Sequence, residues 1–158
     1  MAAVEAAPTK AEVNAVKVAG PPIDGATEAL KAAHASGRRV AVVSNNSAEC
    51  VRAYLSTHGL STLVEQIAGR PTMRPDLMKP SPQPLLEAAS LLGTAPERTV
   101  LIRDSVTDVE ATRAAATRCI GFANKPTKQI ALADAGADQV VLSMTSIAKA
   151  SAALFSAG

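Results

Sequence analysis

Large aromatic side chains are nearly missing from this chain. Its 158 residues include no Trp, one Tyr and two Phe, so any core must be built from Ala, Val, Leu and Ile. A dominant charge is missing too. Sixteen Lys and Arg stand against 14 Asp and Glu, interspersed, for a formal net charge of +2. That balance provides no electrostatic footprint for nucleic acid and no polybasic patch for a membrane surface. No apolar run approaches the roughly 20 residues of a membrane span. The opening stretch, MAAVEAAPTKAEV, has neither the basic region nor the apolar region of a secretory signal. The two cysteines, Cys50 and Cys119, are far apart and outside any CxxC or zinc-like spacing. They read as buried, reduced thiols, and the expected location is the cytoplasm.

What is present is a chain 47% hydrophobic, long enough for one domain with a real core. Helical stretches alternate with short apolar runs. Thr9-Lys10-Ala11-Glu12 has the spacing of a capping box, followed by Val13 and Val16 and stopped by Gly20-Pro21, which predicts a helix over 10–19. Further helices are expected over 26–36, 48–58, 85–92, 105–116, 128–135 and 146–155. Strands are expected over 40–43, 64–68, 99–102, 118–122 and 139–142. Residues 69–84 carry Pro71, Pro75, Pro80, Pro82 and Pro84 and read as a loop. Continuous apolar strands such as Val40-Ala41-Val42-Val43 suit burial on both faces of a parallel sheet. The whole pattern predicts an α/β fold, a Rossmann-like doubly wound parallel sheet whose ligand sits at the carboxyl ends of the strands.

Three polar clusters fall at or near those ends. Ser44-Asn45-Asn46 follows the 40–43 strand and precedes a helix, where free N–H groups and the helix dipole favour an anion. The alternative is that Asn46 or Ser47 simply caps that helix. Lys79, in Met78-Lys79-Pro80-Ser81-Pro82, is either a positioned point charge for phosphate or a solvated loop lysine. Arg103-Asp104-Ser105-Val106-Thr107-Asp108 follows the 99–102 strand. Asp104 and Asp108 lie one helical turn apart and can face one point as hard oxygen ligands for Mg²⁺. The alternative makes Asp104 or Ser105 a helix cap and leaves Asp108 in solvent.

Taken together, hydroxyl, lysine and paired aspartates in this order resemble motifs two, three and four of the haloacid dehalogenase superfamily. The resemblance runs from about Pro22 to Ile147 and includes the flanking Gly121-Phe122-Ala123-Asn124-Lys125-Pro126 and Ala133-Asp134-Ala135-Gly136-Ala137-Asp138. It implies that Ser44, with Asn45 and Asn46, binds the phosphoryl group. It implies that Lys79 neutralises that group and that Asp104 and Asp108 anchor Mg²⁺. The implied reaction is phosphomonoester hydrolysis through an aspartyl-phosphate, and the implied partner is a phosphorylated small molecule.

Two departures stand out. The family places Asp-x-Asp-Gly-Thr at the end of its central first strand, and the first Asp is the nucleophile. Here the first aspartate in the sequence is Asp24, in Pro22-Ile23-Asp24-Gly25-Ala26, where proline would stand at the nucleophile position. This stretch better matches the turn into the helix before motif two. On that alignment residues 1–20 are a remnant of the cap region and 21–158 the core, with the central motif-one strand missing. Arg103 stands where the family usually has glycine; it either competes with the metal or provides a cation for phosphate. Arg70 and Arg74 are expected in solvent, with contact to substrate as the alternative, and His34 and His58 have no assigned role. The expected function is a phosphatase by descent that is inactive or incomplete. The alternatives are a non-catalytic phosphate- and Mg²⁺-binding module and a fragment completed by another chain. With the central strand missing, 40–43 is expected to pair directly with 99–102. The alternative is that the exposed edges pair between two copies as a homodimer.

Overall fold

The computed structural model describes residues 2–71, 74–77 and 81–156, with backbone only for 2–7, 75 and 152–156. Lys79 therefore lies outside the described residues, together with Met78 and Pro80. Seven α-helices and five strands are described, in the order α1 Ala2–Val16, α2 Ala26–Ala35, β1 Ala41–Val43, α3 Ala48–Thr57, β2 Gln66–Ala68, α4 Gln83–Leu91, β3 Val100–Arg103, α5 Val106–Ala114, β4 Arg118–Phe122, α6 Lys128–Asp134, β5 Gln139–Val141 and α7 Met144–Ser156. Among the described residues no helix is long and apolar enough to cross a membrane.

All strand pairing is parallel, as short apolar runs separated by helices require. The strands form two ladders. β1 pairs with β2 in the register Val42 to Ile67, and β3, β4 and β5 form a second sheet with Ile102 opposite Ile120 and Gly121 opposite Val140. This corrects the expectation that 40–43 pairs directly with 99–102: β1 and β3 belong to different sheets. Side chains join the halves instead. Val43 of β1, Ala68 of β2, Leu85 and Ala88 of α4, and Ala111 and Ala115 of α5 form one buried cluster, with Leu101 of β3 packed against it. Alanine at four of these positions lets helix and strand approach closely, which suits a core without large aromatics. A second cluster, Val109, Cys119, Ala123 and Leu132, lies wholly within the β3–β5 half.

The N-terminal segment is helical, but its boundaries correct the prediction over 10–19. α1 begins at Ala2, includes Pro8 and ends at Val16, with a turn at residues 17–18. Thr9 is inside the helix and caps nothing. Glu12, the other half of the expected capping box, turns to α3, against which α1 packs. The remaining predicted helices and strands are present, with ends shifted by at most two residues. α2 enters through Gly25, whose φ of +82° is left-handed. A Cβ there would lie 2.6 Å from the Thr145 backbone nitrogen, so glycine is needed both for the turn and for α2 to pack on α7. Asp24 lies in that same turn. Cys50 and Cys119 are free and buried.

Candidate functional site

The carboxyl end of β1 is continued by one more ladder-like bond, in which the Ser44 N–H donates to the Ala68 carbonyl at 3.0 Å. The chain then turns sharply, and the Ser44 hydroxyl accepts from the Asn46 N–H at 3.1 Å. Ser47 caps α3, its Oγ accepting from the Cys50 N–H at 3.2 Å. Capping by Ser47 and a separate Ser44-Asn45-Asn46 turn, half-buried at Ser44 and Asn45 and exposed at Asn46, therefore coexist. Gly69 allows this crowding, because a Cβ on it would lie 2.6 Å from the Ala48 nitrogen. The Arg70 N–H closes the turn by donating to the Asn46 carbonyl at 2.8 Å.

Behind the turn, α1 is tied down by a charged network that sequence reading did not find. The Glu12 carboxylate accepts from the Ser47 N–H at 2.9 Å and pairs with the Arg70 guanidinium, which also reaches the Thr9 hydroxyl at 3.4 Å. Burial pushes the Glu12 carboxyl up. The Ser47 and Arg70 hydrogen bonds outweigh that and hold it below its ordinary value. Arg70, expected in solvent, is only 15% exposed. Arg74 is exposed as expected and pairs with Asp76. Burial raises the thiol pKa of both cysteines, at Cys50 with help from the Glu12 charge, so neither is an activated nucleophile.

At the carboxyl end of β3 the two aspartates part company. Ser105 caps α5: its Oγ accepts from the Asp108 N–H at 3.3 Å and donates to Asp108 Oδ2 at 2.7 Å. Asp108, one of the alternatives for solvent, is buried, and Arg103 Nε donates to the same Oδ2 at 3.0 Å. Arg103 Nη1 also donates to the Val43 carbonyl at 3.3 Å, so the arginine reaches from the second sheet to the first. Asp104 is half exposed and faces other partners. Its Oδ2 accepts from Lys128 Nζ at 3.2 Å and Asn124 Nδ2 at 3.1 Å, and Lys128 also donates to the Asp104 carbonyl.

A cleft of about 490 Å³ lies between the two strand ends, lined by Ser44, Asn45, Asn46, Arg103, Ser105, Thr107 and Asp108. Of the residues singled out from sequence, Ser44, Asn45, Asn46 and Asp108 line it. Asp104 is not among its walls, and Lys79 lies outside the described residues. The cleft offers hydroxyls, amides and one guanidinium, a donor set made for an oxyanion.

The same residues are poorly matched to Mg²⁺. Each aspartate expected to hold the ion already has an intramolecular cation, Lys128 for Asp104 and Arg103 for Asp108. Among the described residues no group of three or more His, Cys, Asp or Glu side chains converges. A divalent ion at Asp108 would also sit against the Arg103 guanidinium. Lys128 and Asn124 were missed as individual residues, although Asn124 falls in a flanking stretch that resembles the superfamily.

The profile of the haloacid dehalogenase-like hydrolase family matches residues 6–122. A phosphoglycolate phosphatase from Nitrosococcus oceani is 33% identical over 123 residues, covering 78% of this chain and 54% of that protein. A beta-phosphoglucomutase from Mycobacterium bovis is 38% identical over 93 residues, covering 58% of this chain and 35% of that protein. The crystal structure of a HAD family hydrolase from Deinococcus radiodurans R1, with bound phosphate and sodium, gives a TM-score of 0.72 at 35% identity. The match covers 85% of this chain and 61% of that one. The chain spans about half the length of the curated relatives it matches.

Proposed function

The chain belongs to the haloacid dehalogenase-like hydrolase family, and on that premise we propose that it binds a phosphorylated small molecule without hydrolysing it. One observation carries the reading: Ser44, Asn45, Asn46 and Arg103 line a single cleft between two strand ends. Phosphate bound to the Deinococcus radiodurans relative supports the choice of ligand. Ser44 and the amides of Asn45 and Asn46 hydrogen-bond the phosphoryl oxygens, and Lys79 provides charge from the proline-rich loop. Residues 1–20 serve as a remnant of the cap region, docked on a core of 21–158. We further propose a cytoplasmic protein that does not engage nucleic acid, as its balanced charge suggests.

The reading without turnover rests on the nucleophile, for which no carboxylate is placed among the described residues. Family hydrolysis passes through an aspartyl-phosphate. Among the described residues the only carboxylate lining the cleft is Asp108, whose Oδ2 already accepts from Arg103 and Ser105. The superfamily resemblance implies Mg²⁺ as the cofactor. Here Mg²⁺ binding at Asp104 and Asp108 is weak, because the ion must displace Lys128 and Arg103. The test is release of the aryl alcohol from a generic aryl phosphate with Mg²⁺, comparing the chain with Asp104→Ala. Both are expected to match the buffer rate. Robust turnover that Asp104→Ala abolishes would show that the chain is an active phosphatase.

One observation favours a second reading, completion of the site by another polypeptide: β1 and β3 belong to separate sheets although Arg103 links their ends. Turnover that arises only when a segment carrying Asp-x-Asp-Gly is added in trans would select it.

A further inference from the structure

We propose that Arg103 stands in for the divalent cation, making the cleft a metal-independent phosphate site. The inference rests on the phosphate-binding reading above and assigns the charge that neutralises the ligand. Arg103 is the last residue of β3, beside the strand-end turn. Its guanidinium is fixed from two sides. Nε is held by Asp108 on α5 at 3.0 Å, and Nη1 by the Val43 carbonyl on β1 at 3.3 Å. Nη2 has no hydrogen-bond partner among the described residues, and the side chain is 28% exposed where it lines the cleft.

A planar guanidinium held in this way presents donors in a fixed fork, the geometry that matches phosphate oxygens. Because its orientation is set before the anion arrives, little side-chain entropy is lost on binding. The surrounding groups, Ser44, Asn45, Asn46 and Thr107, add neutral polar contacts and no competing charge. Among the described residues Asp108 is the one anion in the wall. Its buried carboxylate is turned to Arg103 and Ser105, so it acts as a positioning residue for the arginine rather than as a metal ligand. With Arg103 in place, a divalent ion at Asp108 meets like charge. Without Arg103 that like charge is gone, while the Ser105 hydroxyl still donates to the Asp108 carboxylate.

Calorimetric titration of the full chain with inorganic phosphate, in Mg²⁺ or in a chelator, tests this. The wild type is expected to bind equally in both buffers. Arg103→Gly should lose about tenfold or more in the chelator, the weight of a charge-assisted pair. Arg103→Lys keeps the charge without the fork and should fall between the two, which guards against a folding defect in the glycine variant. Wild-type binding that requires Mg²⁺, or undiminished binding by Arg103→Gly in the chelator, overturns the proposal. Ser44→Ala separates the two claims. If it weakens phosphate binding while the Arg103 variants do not, the arginine's role alone is wrong. If the wild type binds no phosphate, or Ser44→Ala changes nothing, the phosphate-binding reading fails and this inference fails with it.

Discussion

The two halves of the molecule are built from the same parts, parallel strands covered by helices, but they hold together differently. The β3–β5 half is self-contained: three strands in register, with a buried cluster drawn from α5, β4, α6 and the segments between them. Asp138 reinforces it, exchanging hydrogen bonds with Cys119 through its carboxylate and its N–H. The β1–β2 half has a three-residue ladder, extended by one bond at Ser44 and by the Val40 carbonyl at its other end. Its stability comes from outside, through α4 and α5 in the shared cluster, through Arg103 on the Val43 carbonyl, and through α1 by way of Glu12 and Arg70. The cleft lies where the self-supporting half meets the dependent one. A site placed there has one rigid wall, carrying Arg103 and Asp108, and one wall whose position depends on side-chain contacts.

The largest effect that can break this comparison is expected from Leu132→Ala in the self-contained cluster, where Leu132 is 1% exposed. Urea unfolding should show a loss of about 3 kcal/mol, the usual cost of a buried leucine and its cavity. Amide exchange should speed up across the whole chain. Leu85→Ala in the shared cluster should cost somewhat less, about 2 kcal/mol. Its exchange effect should be uneven, with Ile67 and Ala68 of β2 opening while the β4 amides keep their protection. Equal acceleration in both halves by Leu85→Ala would mean that the halves do not differ in kind.

A smaller effect sharpens the account of α1. Glu12→Gln removes the charge that faces Arg70 and should cost about 1 kcal/mol near neutral pH, since the pair is only partly buried. The sign of the pH dependence follows from the lowered Glu12 pKa. A carboxylate depressed in the folded state contributes stability above its ordinary value of 4.5 and loses it as pH falls through the folded value. The gap between wild type and Glu12→Gln should therefore be full above about pH 4.5 and close below it. A gap that widens in acid would contradict the contact.

Much of this was legible in the sequence because strands and helices here are short, apolar or periodic, and bounded by glycine or polar residues. The run ending at Val43, the runs around Ile102 and Ile120, and the stops at Gly37, Gly59 and Gly93 each carry a local physical signal, and each lies at an element end or beyond it. What failed depended on partners distant in the chain. Thr9 and Glu12 have the spacing of a capping box, but Glu12 is engaged by Ser47 and Arg70, 35 and 58 residues away. Direct pairing of β1 with β3 was expected because buried strand edges need partners. Nothing local reveals that an arginine side chain and a shared cluster of small residues join the halves instead. Arg103 itself was visible as a departure, but its two anchors were not, since one of them lies 60 residues back.

The central claim is that the strand-end cleft receives phosphate through Ser44, Asn45, Asn46 and Arg103. The most direct measurement is a phosphate titration followed by nitrogen-15 NMR, reading the backbone amides and the Arg103 Nε–H together. The account predicts that Ser44, Asn45, Asn46 and the Arg103 side chain shift along one saturating curve, with or without Mg²⁺. Shifts confined to other surfaces, or none at these four residues, would contradict it.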